Sequence, residues 1–413
     1  MSPSIEPLPV QKLDALLTQS VGKNFQIKHL EWSPLTAPGE NFGSVMLAIT
    51  VTLTRPTDKT ETLNLVAKLP PTSAYLLDLF NSPVSFQKEL YFYNSMAKEF
   101  LDLQTENGMK GKDPCNLVPK FFGGRLGLKA HDEFDAQAAI ILENLKCSGY
   151  DTEDRIFGLD RKHTKFAIEG LAKMHAFTIA LKLKKPQVYE EIATNVFLDI
   201  WNETTAKCVN DMIRKAQSDI QDIEELKPFV DRVNKTIEYG IMYEKTRKSA
   251  EEPWATLIHN DFWVNNMMFQ HNEQGELLDM KIVDFQLCLY DYGMKDLIFF
   301  LVSSANKEIL DNNMDEMIDW YYSCFINALK MLRVDTEKFT KQKFDEIVGH
   351  CGQVKFNQCI MMVQVIQAPR KTASDITVIK ENNVFTSTAG NDIYRQKLMT
   401  IVNLFDKRGW LRK

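Results

Sequence analysis

Leu257-Ile-His-Asn-Asp-Phe-Trp-Val-Asn-Asn-Met-Met-Phe269 and, a little further on, Lys281-Ile-Val-Asp-Phe-Gln286 decide how this 413-residue chain is read. Apolar residues flank both stretches, so each predicts a short buried strand that meets a polar turn. Asp261 follows His259 by two residues, Asn266 stands five beyond that, and Asp284 lies 23 residues after Asp261. In-line phosphoryl transfer needs such a set: a carboxylate to orient or deprotonate the attacking hydroxyl, and an Asn and an Asp to hold Mg²⁺ against nucleotide phosphates. A lone His-x-Asp would read as an ordinary turn. The full spacing between apolar flanks reads as a catalytic loop followed by a metal-binding carboxylate.

Working upstream, 44–54 is a β-rich run, 55–60 a turn and 61–69 a second run, which together predict a hairpin. Lys68 sits on its second strand. From 74 to 105 the apolar spacing becomes helical, with Leu76, Leu77 and Phe80 before Pro83, then Phe86, Leu90, Tyr93 and Met96; Glu89 lies on this helix. A strand lysine aimed by a helix glutamate would supply the cation that phosphoryl transfer places on the α- and β-phosphates. Gly39-Glu-Asn-Phe-Gly-Ser-Val45 then reads as a phosphate-covering turn, where small residues let backbone N–H groups approach oxygens. Asn41, Gly43 and Ser44 are its candidate contacts.

Downstream, 136–143 is a buried-strand candidate and 144–149 an extended connection. Long helices are expected at 162–183, 197–215, 228–245, 308–332 and 341–365, a polar loop at 371–392, and a final helix at 393–406 that packs back on the body. A β-rich first third before a helical remainder predicts an α+β chain. No repeat of 20 to 50 residues is visible.

Composition excludes several classes. Lys and Arg number 49 against 55 Asp and Glu, a formal charge of −6, so no global basic field exists to collect nucleic acid. Hydrophobic residues at 44% can supply a packed core. The seven cysteines are scattered and never form C-x-x-C, so no disulfide framework or cysteine zinc site is predicted. The N-terminus lacks a signal-peptide pattern, and the apolar runs at 138–142 and 297–302 fall far short of the roughly 20 residues that cross a bilayer. A cytoplasmic protein with no transmembrane segment is expected. Oligomeric state is not readable.

In order from about Gly39 to Val302, these motifs resemble the kinase-like phosphotransferases of small molecules. Within that group they resemble the ecdysteroid kinase-like family, related to choline and aminoglycoside kinases. The resemblance implies a protein-kinase-like two-lobed fold, with a small antiparallel-sheet lobe at 1–142, a large mainly helical lobe at 143–413, and ATP with Mg²⁺ between them. It implies Asp261 as catalytic base, Asn266 and Asp284 as Mg²⁺ ligands, and Lys68 with Glu89 as the phosphate-anchoring pair. Glu143 and Leu145 would meet adenine through the carbonyl of the first and the N–H of the second. The implied acceptor is a hydroxyl on a lipophilic alcohol such as an ecdysteroid. A choline- or aminoglycoside-type kinase, or a nucleotide-binding pseudokinase, is the alternative.

Three features separate the chain from protein kinases. Asp284 is followed by Phe-Gln, Asn260 rather than Arg precedes Asp261, and only 12 positions part Asp284 from Asp296. That leaves little chain for a peptide-docking segment. Conversely, 116 residues part Glu143 from His259, enough for an enlarged helical wall around an acceptor. Trp201, Phe229, Tyr239, Tyr243, Trp320, Tyr321, Tyr322 and Phe325 could furnish that wall, though aromatic residues at helical spacing more often form core. His175 reads as a hydrogen-bonded core histidine. Asp296 with Leu297 resembles the family's helix-opening pair that supports the catalytic loop, and Asp296 also reads as a helix N-cap.

Overall fold

The computed structural model describes residues 8–35, 43–57, 59–109, 116–130, 132–246, 249–367 and 392–413. Asn41, most of the phosphate-covering turn, and positions 371–391 of the polar loop lie outside them. A helix α1 (Leu13–Val21) and strand β1 (Gln26–Pro34) precede the predicted hairpin, β2 (Val45–Thr54) and β3 (Thr60–Leu69). The hairpin pairs without a slip from Val45 opposite Leu69 to Thr54 opposite Thr60.

Its period of two sorts the side chains. Leu47, Ile49, Val51 and Leu53 of β2 and Leu63, Leu65, Ala67 and Leu69 of β3 pack beneath α1 against Leu13, Leu16 and Leu17. Val66 and Lys68 therefore face the opposite side, toward the helices that follow. Those are α2 (Ala74–Leu79), α3 (Ser82–Tyr91), a π-helical turn at Phe92–Met96, and α4 (Ala97–Glu106). The helical stretch expected over 74–105 is thus divided. Asn81 takes a left-handed φ of 41° and Pro83, which has no N–H to donate, falls in the first turn of α3.

Strands β4 (Phe121–Arg125) and β5 (Ala139–Glu143) complete an antiparallel sheet in the order β1-β2-β3-β5-β4. The connection expected to be extended at 144–149 is instead a 3-10 turn, Leu145–Ser148, because the Asn144 side chain accepts the Lys146 N–H at 3.2 Å. Strand β6 (Tyr150–Asp151) leads into the helical part: α5 (Arg161–Lys184), α6 (Pro186–Val196), α7 (Glu203–Gln221) and α8 (Val230–Lys245). The helix expected at 197–215 begins only at Glu203. Residues 197–202 form a link in which the Lys88 ammonium donates to Leu198 O at 2.5 Å, and Asn202 caps α7 by accepting the Thr205 N–H at 2.8 Å.

Two small ladders then frame the decisive motifs. Strand β7 (Ala255–Ile258) enters the first loop, β8 (Met267–His271) leaves it, β9 (Leu277–Ile282) leads to Asp284, and β10 (Leu289–Tyr292) pairs back on β7. Helices α9 (Met294–Ser304), α10 (Met314–Met331), α11 (Lys341–Ile366) and α12 (Asp392–Lys407) follow. Every residue of α9 is buried, as its apolar run requires. Helix α12 packs on the body through Phe405, whose ring lies 5.0 Å from Phe356. Among the described residues no helix is long and apolar enough to cross a membrane. The architecture is the expected α+β one: a small antiparallel sheet followed by a mainly helical part.

Candidate active site

Lys68 and Glu89 meet because β3 turns its Lys68 face toward α3. The Lys68 ammonium donates to Glu89 Oε2 at 2.5 Å and to Asp284 Oδ1 at 2.9 Å, and both Lys68 and Glu89 are buried. Burial alone would lower the Lys68 pKa; the charges of Asp284 and Glu89 outweigh it and hold the ammonium above its ordinary value. A buried cation with two carboxylate partners is costly to assemble and strongly oriented once made.

Asp284 itself stands at φ 70°, ψ 67°, a left-handed conformation that a short polar side chain tolerates. Its Oδ2 accepts from Gln286 Nε2 at 3.2 Å. The next residue, Phe285, is fully buried and stacks on Phe92 of the π-helical turn, with ring centroids 3.5 Å apart and planes 11° from parallel. The stack anchors the backbone that presents Asp284 to Lys68.

The first loop is fixed by bonds to its backbone. Asp296, in the first turn of α9, accepts the His259 N–H at 2.6 Å and the Asn260 N–H at 2.8 Å. Its side chain makes no cap, so the N-cap reading gives way to the loop-support reading. His259 Nε2–H donates to Val283 O at 2.9 Å, which leaves Nδ1 to accept the Asp261 N–H at 3.3 Å. Burial lowers the His259 pKa, in keeping with a neutral ring. Asn260 adopts a left-handed φ of 64°. It is held from α11, where Lys355 Nζ donates to its Oδ1 at 2.8 Å and Gln358 Nε2 to its carbonyl at 2.7 Å.

Asp261 and Asn266 are joined directly. Asn266 Nδ2 donates to Asp261 Oδ2 at 3.0 Å and to its carbonyl at 2.9 Å, across a 3-10 turn at Val264–Asn266. The Asn266 carbonyl accepts the Val283 N–H at 3.0 Å, so the loop is tied to the residue before Asp284. Burial, and after it the neighbouring charge of Asp284, pushes the Asp261 carboxyl up to about 8.

His175 is a core histidine, fully buried, with Nδ1 2.6 Å from the Tyr321 hydroxyl and Nε2 3.4 Å from Asp296. Gly293 makes room for that pair, since a Cβ there would lie 2.5 Å from His175 Nδ1 and 2.8 Å from the Tyr321 oxygen. Gly293→Ala should lose about 1–3 kcal/mol of stability, read from urea denaturation. An unchanged midpoint and slope would show that the His175, Tyr321 and Asp296 set has slack.

The remaining candidates are more loosely placed. The Gly43 backbone lies against the Gln286 amide, since a Cβ there would stand 3.3 Å from Nε2, so the described end of the phosphate-covering turn sits above the segment after Asp284. Ser44 is buried, with Oγ 3.6 Å from Met46 Sδ. Glu143 closes β5, its N–H donating to Lys120 O at 2.8 Å and its Oε1 accepting from Ser148 Oγ at 2.7 Å; Leu145 opens the 3-10 turn. Of the aromatic wall, Tyr321 and Phe325 are core residues, stacked 6.0 Å apart near Trp254 and Phe344. Trp320 is tied to Lys165 O through its indole N–H, and Trp201 is exposed. Lys355 and Gln358 were missed by the sequence reading, and nothing local marks them.

The sequence pattern of the ecdysteroid kinase-like family matches residues 38–334. The chain belongs to the ecdysteroid kinase-like family. This ecdysteroid kinase-like region includes Lys68, Glu89, Asp261, Asn266 and Asp284 but ends before α11, so the Lys355 and Gln358 braces come from outside the matched segment. Similar solved structures include an ethanolamine kinase of Plasmodium vivax (10% identity, TM-score 0.42, covering 92% of this chain and 84% of that one). An amicoumacin kinase in complex with AMP-PNP, Ca²⁺ and Ami shares 12% identity at TM-score 0.42, covering 97% and 94%. A choline/ethanolamine kinase family protein from Mesorhizobium loti shares 11% identity at TM-score 0.34, covering 90% and 92%. No curated protein matches the chain.

Proposed function

We propose that this ecdysteroid kinase-like protein is an ATP-dependent small-molecule kinase that transfers the γ-phosphate to a hydroxyl of a lipophilic alcohol such as an ecdysteroid. One observation carries the reading. Lys68 of the sheet, Asp284 after β9 and the Asp261–Asn266 loop, separated by up to 216 positions, are joined through direct side-chain and backbone hydrogen bonds.

The donor set suits a hard divalent cation, which takes oxygen ligands. Asp284 offers a carboxylate that is a quarter exposed, and Asn266, whose Nδ2 is held by Asp261, offers an amide oxygen. When bound with ATP, Mg²⁺ would neutralise charge on the phosphates. Lys68 would hold the α- and β-phosphates, aimed by Glu89. Asp261 would orient the acceptor hydroxyl and take its proton late in a loose transition state, so its position matters more than its basicity. Gly43, Ser44 and Asn41 would cover the phosphates, and the Glu143 carbonyl with the Leu145 N–H would meet adenine. We place the enzyme in the cytoplasm, where ATP is available and free thiols such as Cys288, Cys351 and Cys359 stay reduced.

The test is a screen of steroid, amine and aminoglycoside alcohols with labelled ATP and Mg²⁺, with products identified by mass spectrometry. A phosphorylated steroid is the expected product. Phosphorylation confined to choline or aminoglycosides would move the acceptor class, ATP binding without turnover would make the protein a pseudokinase, and robust phosphorylation of a peptide array would overturn the small-molecule reading. Lys68→Met should raise the ATP KM and lower kcat together, because the same ammonium serves ground state and transition state. Wild-type kinetics in that variant would remove Lys68 from the site.

A further inference from the structure

The loop after β6, the first turn of α5 and the outer end of β8 meet in a cluster that phosphoryl transfer does not use. His163 Nε2 lies 2.9 Å from His271 Nε2. Glu153 Oε1 stands 3.7 Å from the first and 3.9 Å from the second. A triangle with those sides has a single in-plane point about 2.1 Å from all three corners, inside the roughly 2.0–2.2 Å range of zinc bonds to histidine nitrogen and carboxylate oxygen.

A second observation concerns the tautomer. Asp160 Oδ1 lies 2.8 Å from His163 Nδ1 and also accepts the His163 backbone N–H at 2.9 Å. A proton held on Nδ1 by that carboxylate leaves the Nε2 lone pair facing the cluster, which is how second-shell carboxylates prepare histidine ligands. The Phe269 ring, edge-on to His163 with centroids 5.2 Å apart, limits the ring's rotation. The side chains of His163, His271 and Glu153 are 18%, 29% and 37% exposed, so an ion can enter and a water can complete the coordination.

We propose that Glu153, His163 and His271 form a second metal site, apart from the nucleotide cleft, that binds a zinc-class divalent ion and keeps a fourth position open. Two imidazoles and one carboxylate favour Zn²⁺ over Mg²⁺ or Ca²⁺, which prefer all-oxygen sites. Cysteine spacing predicted no zinc site, and folding assembles this one from residues up to 118 positions apart. The site ties α5 and the chain after β6 to the β8–β9 hairpin. Asn266 directly precedes one strand of that hairpin and Asp284 follows the other by two residues, while His271 lies five residues from Asn266, about 16 Å along an extended strand. The ion is thus a clamp on the hairpin that bears the nucleotide-site residues, remote from the reacting atoms.

The full chain, stripped with a chelator, is titrated with Zn²⁺ alone by calorimetry, and its thermal unfolding is followed with and without the ion. One strong site per chain and a raised Tm are expected, since an ion that binds only the native state stabilises it. His271→Gln and Glu153→Gln should each abolish the Tm shift, Asp160→Asn should weaken binding about 10- to 100-fold, and millimolar Mg²⁺ should not compete. Zinc binding that survives in Glu153→Gln and His271→Gln would belong to thiols or to the cleft and would overturn the proposal, as would an absence of stoichiometric binding. Glu153 lies on a loop and loses only a charge on substitution, so it decides the matter even if a histidine variant fails to fold.

Discussion

Turnover of Asp261→Asn is expected to fall by roughly 10²–10⁴ while nucleotide affinity stays at the wild-type level. An amide oxygen can still accept the Asn266 Nδ2–H, and the loop is otherwise held through its backbone by Asp296 and His259. What disappears is the carboxyl group proposed to orient the acceptor hydroxyl. Stability separates this loss from misfolding. A carboxyl raised from the ordinary range to about 8 in the folded state binds protons that the unfolded chain releases, so native stability declines as pH rises through that window. Asn carries no such burden. The variant should therefore melt above the wild type at pH 8 and lose most of that advantage near pH 4, by calorimetric scans. Near-normal turnover would defeat the assignment of Asp261.

Asp284→Asn should abolish the effect of Mg²⁺ on ATP affinity and lower turnover by roughly 10³ or more, taking several kcal/mol as the share of transition-state charge stabilisation lost. The substitution keeps the shape and an acceptor for Lys68. It removes one negative charge, leaving Glu89 as the ammonium's remaining carboxylate partner. The Phe285 stack on Phe92 keeps the backbone in place, so the change is electrostatic. Calorimetric titrations with and without Mg²⁺ read it directly; an unchanged Mg²⁺ dependence would count against Asp284 as a ligand.

How much was legible in the sequence depended on the range of the forces involved. Alternation along β3 already puts Lys68 on the face opposite Leu65 and Ala67, and five residues of spacing suffice to bring Asn266 to Asp261. Strand β1 was missed because its polar pattern, Gln-Ile-Lys-His-Leu-Glu-Trp-Ser-Pro, is that of a half-exposed edge. The helix expected from 197 starts only after Asn202, whose cap was the local clue, and the Leu198 carbonyl before it is claimed by Lys88. Asp296 is the reverse case: α9 begins at Met294 after Gly293, so Asp296 falls inside the first turn rather than at the cap, and its carboxylate accepts two backbone N–H groups of a distant loop. Asn41 lies outside the described residues, and the parts proposed for it, Gly43 and Ser44 rest on the small residues of the 39–45 turn and its place before the hairpin.

The braces from Lys355 and Gln358 to Asn260 also set an order of events during synthesis. Roughly sixty residues separate Asp296 from Gln358, about 3–12 s of translation at about 5–20 residues per second. For that interval a nascent chain can already hold β7, β10 and Asp296, yet the Asn260 side chain and carbonyl lack their donors from α11. The bonds from α11 are thus the last of this loop's braces to be synthesised, and a ribosome stalled before Gln358 would hold the Asn260 loop without them.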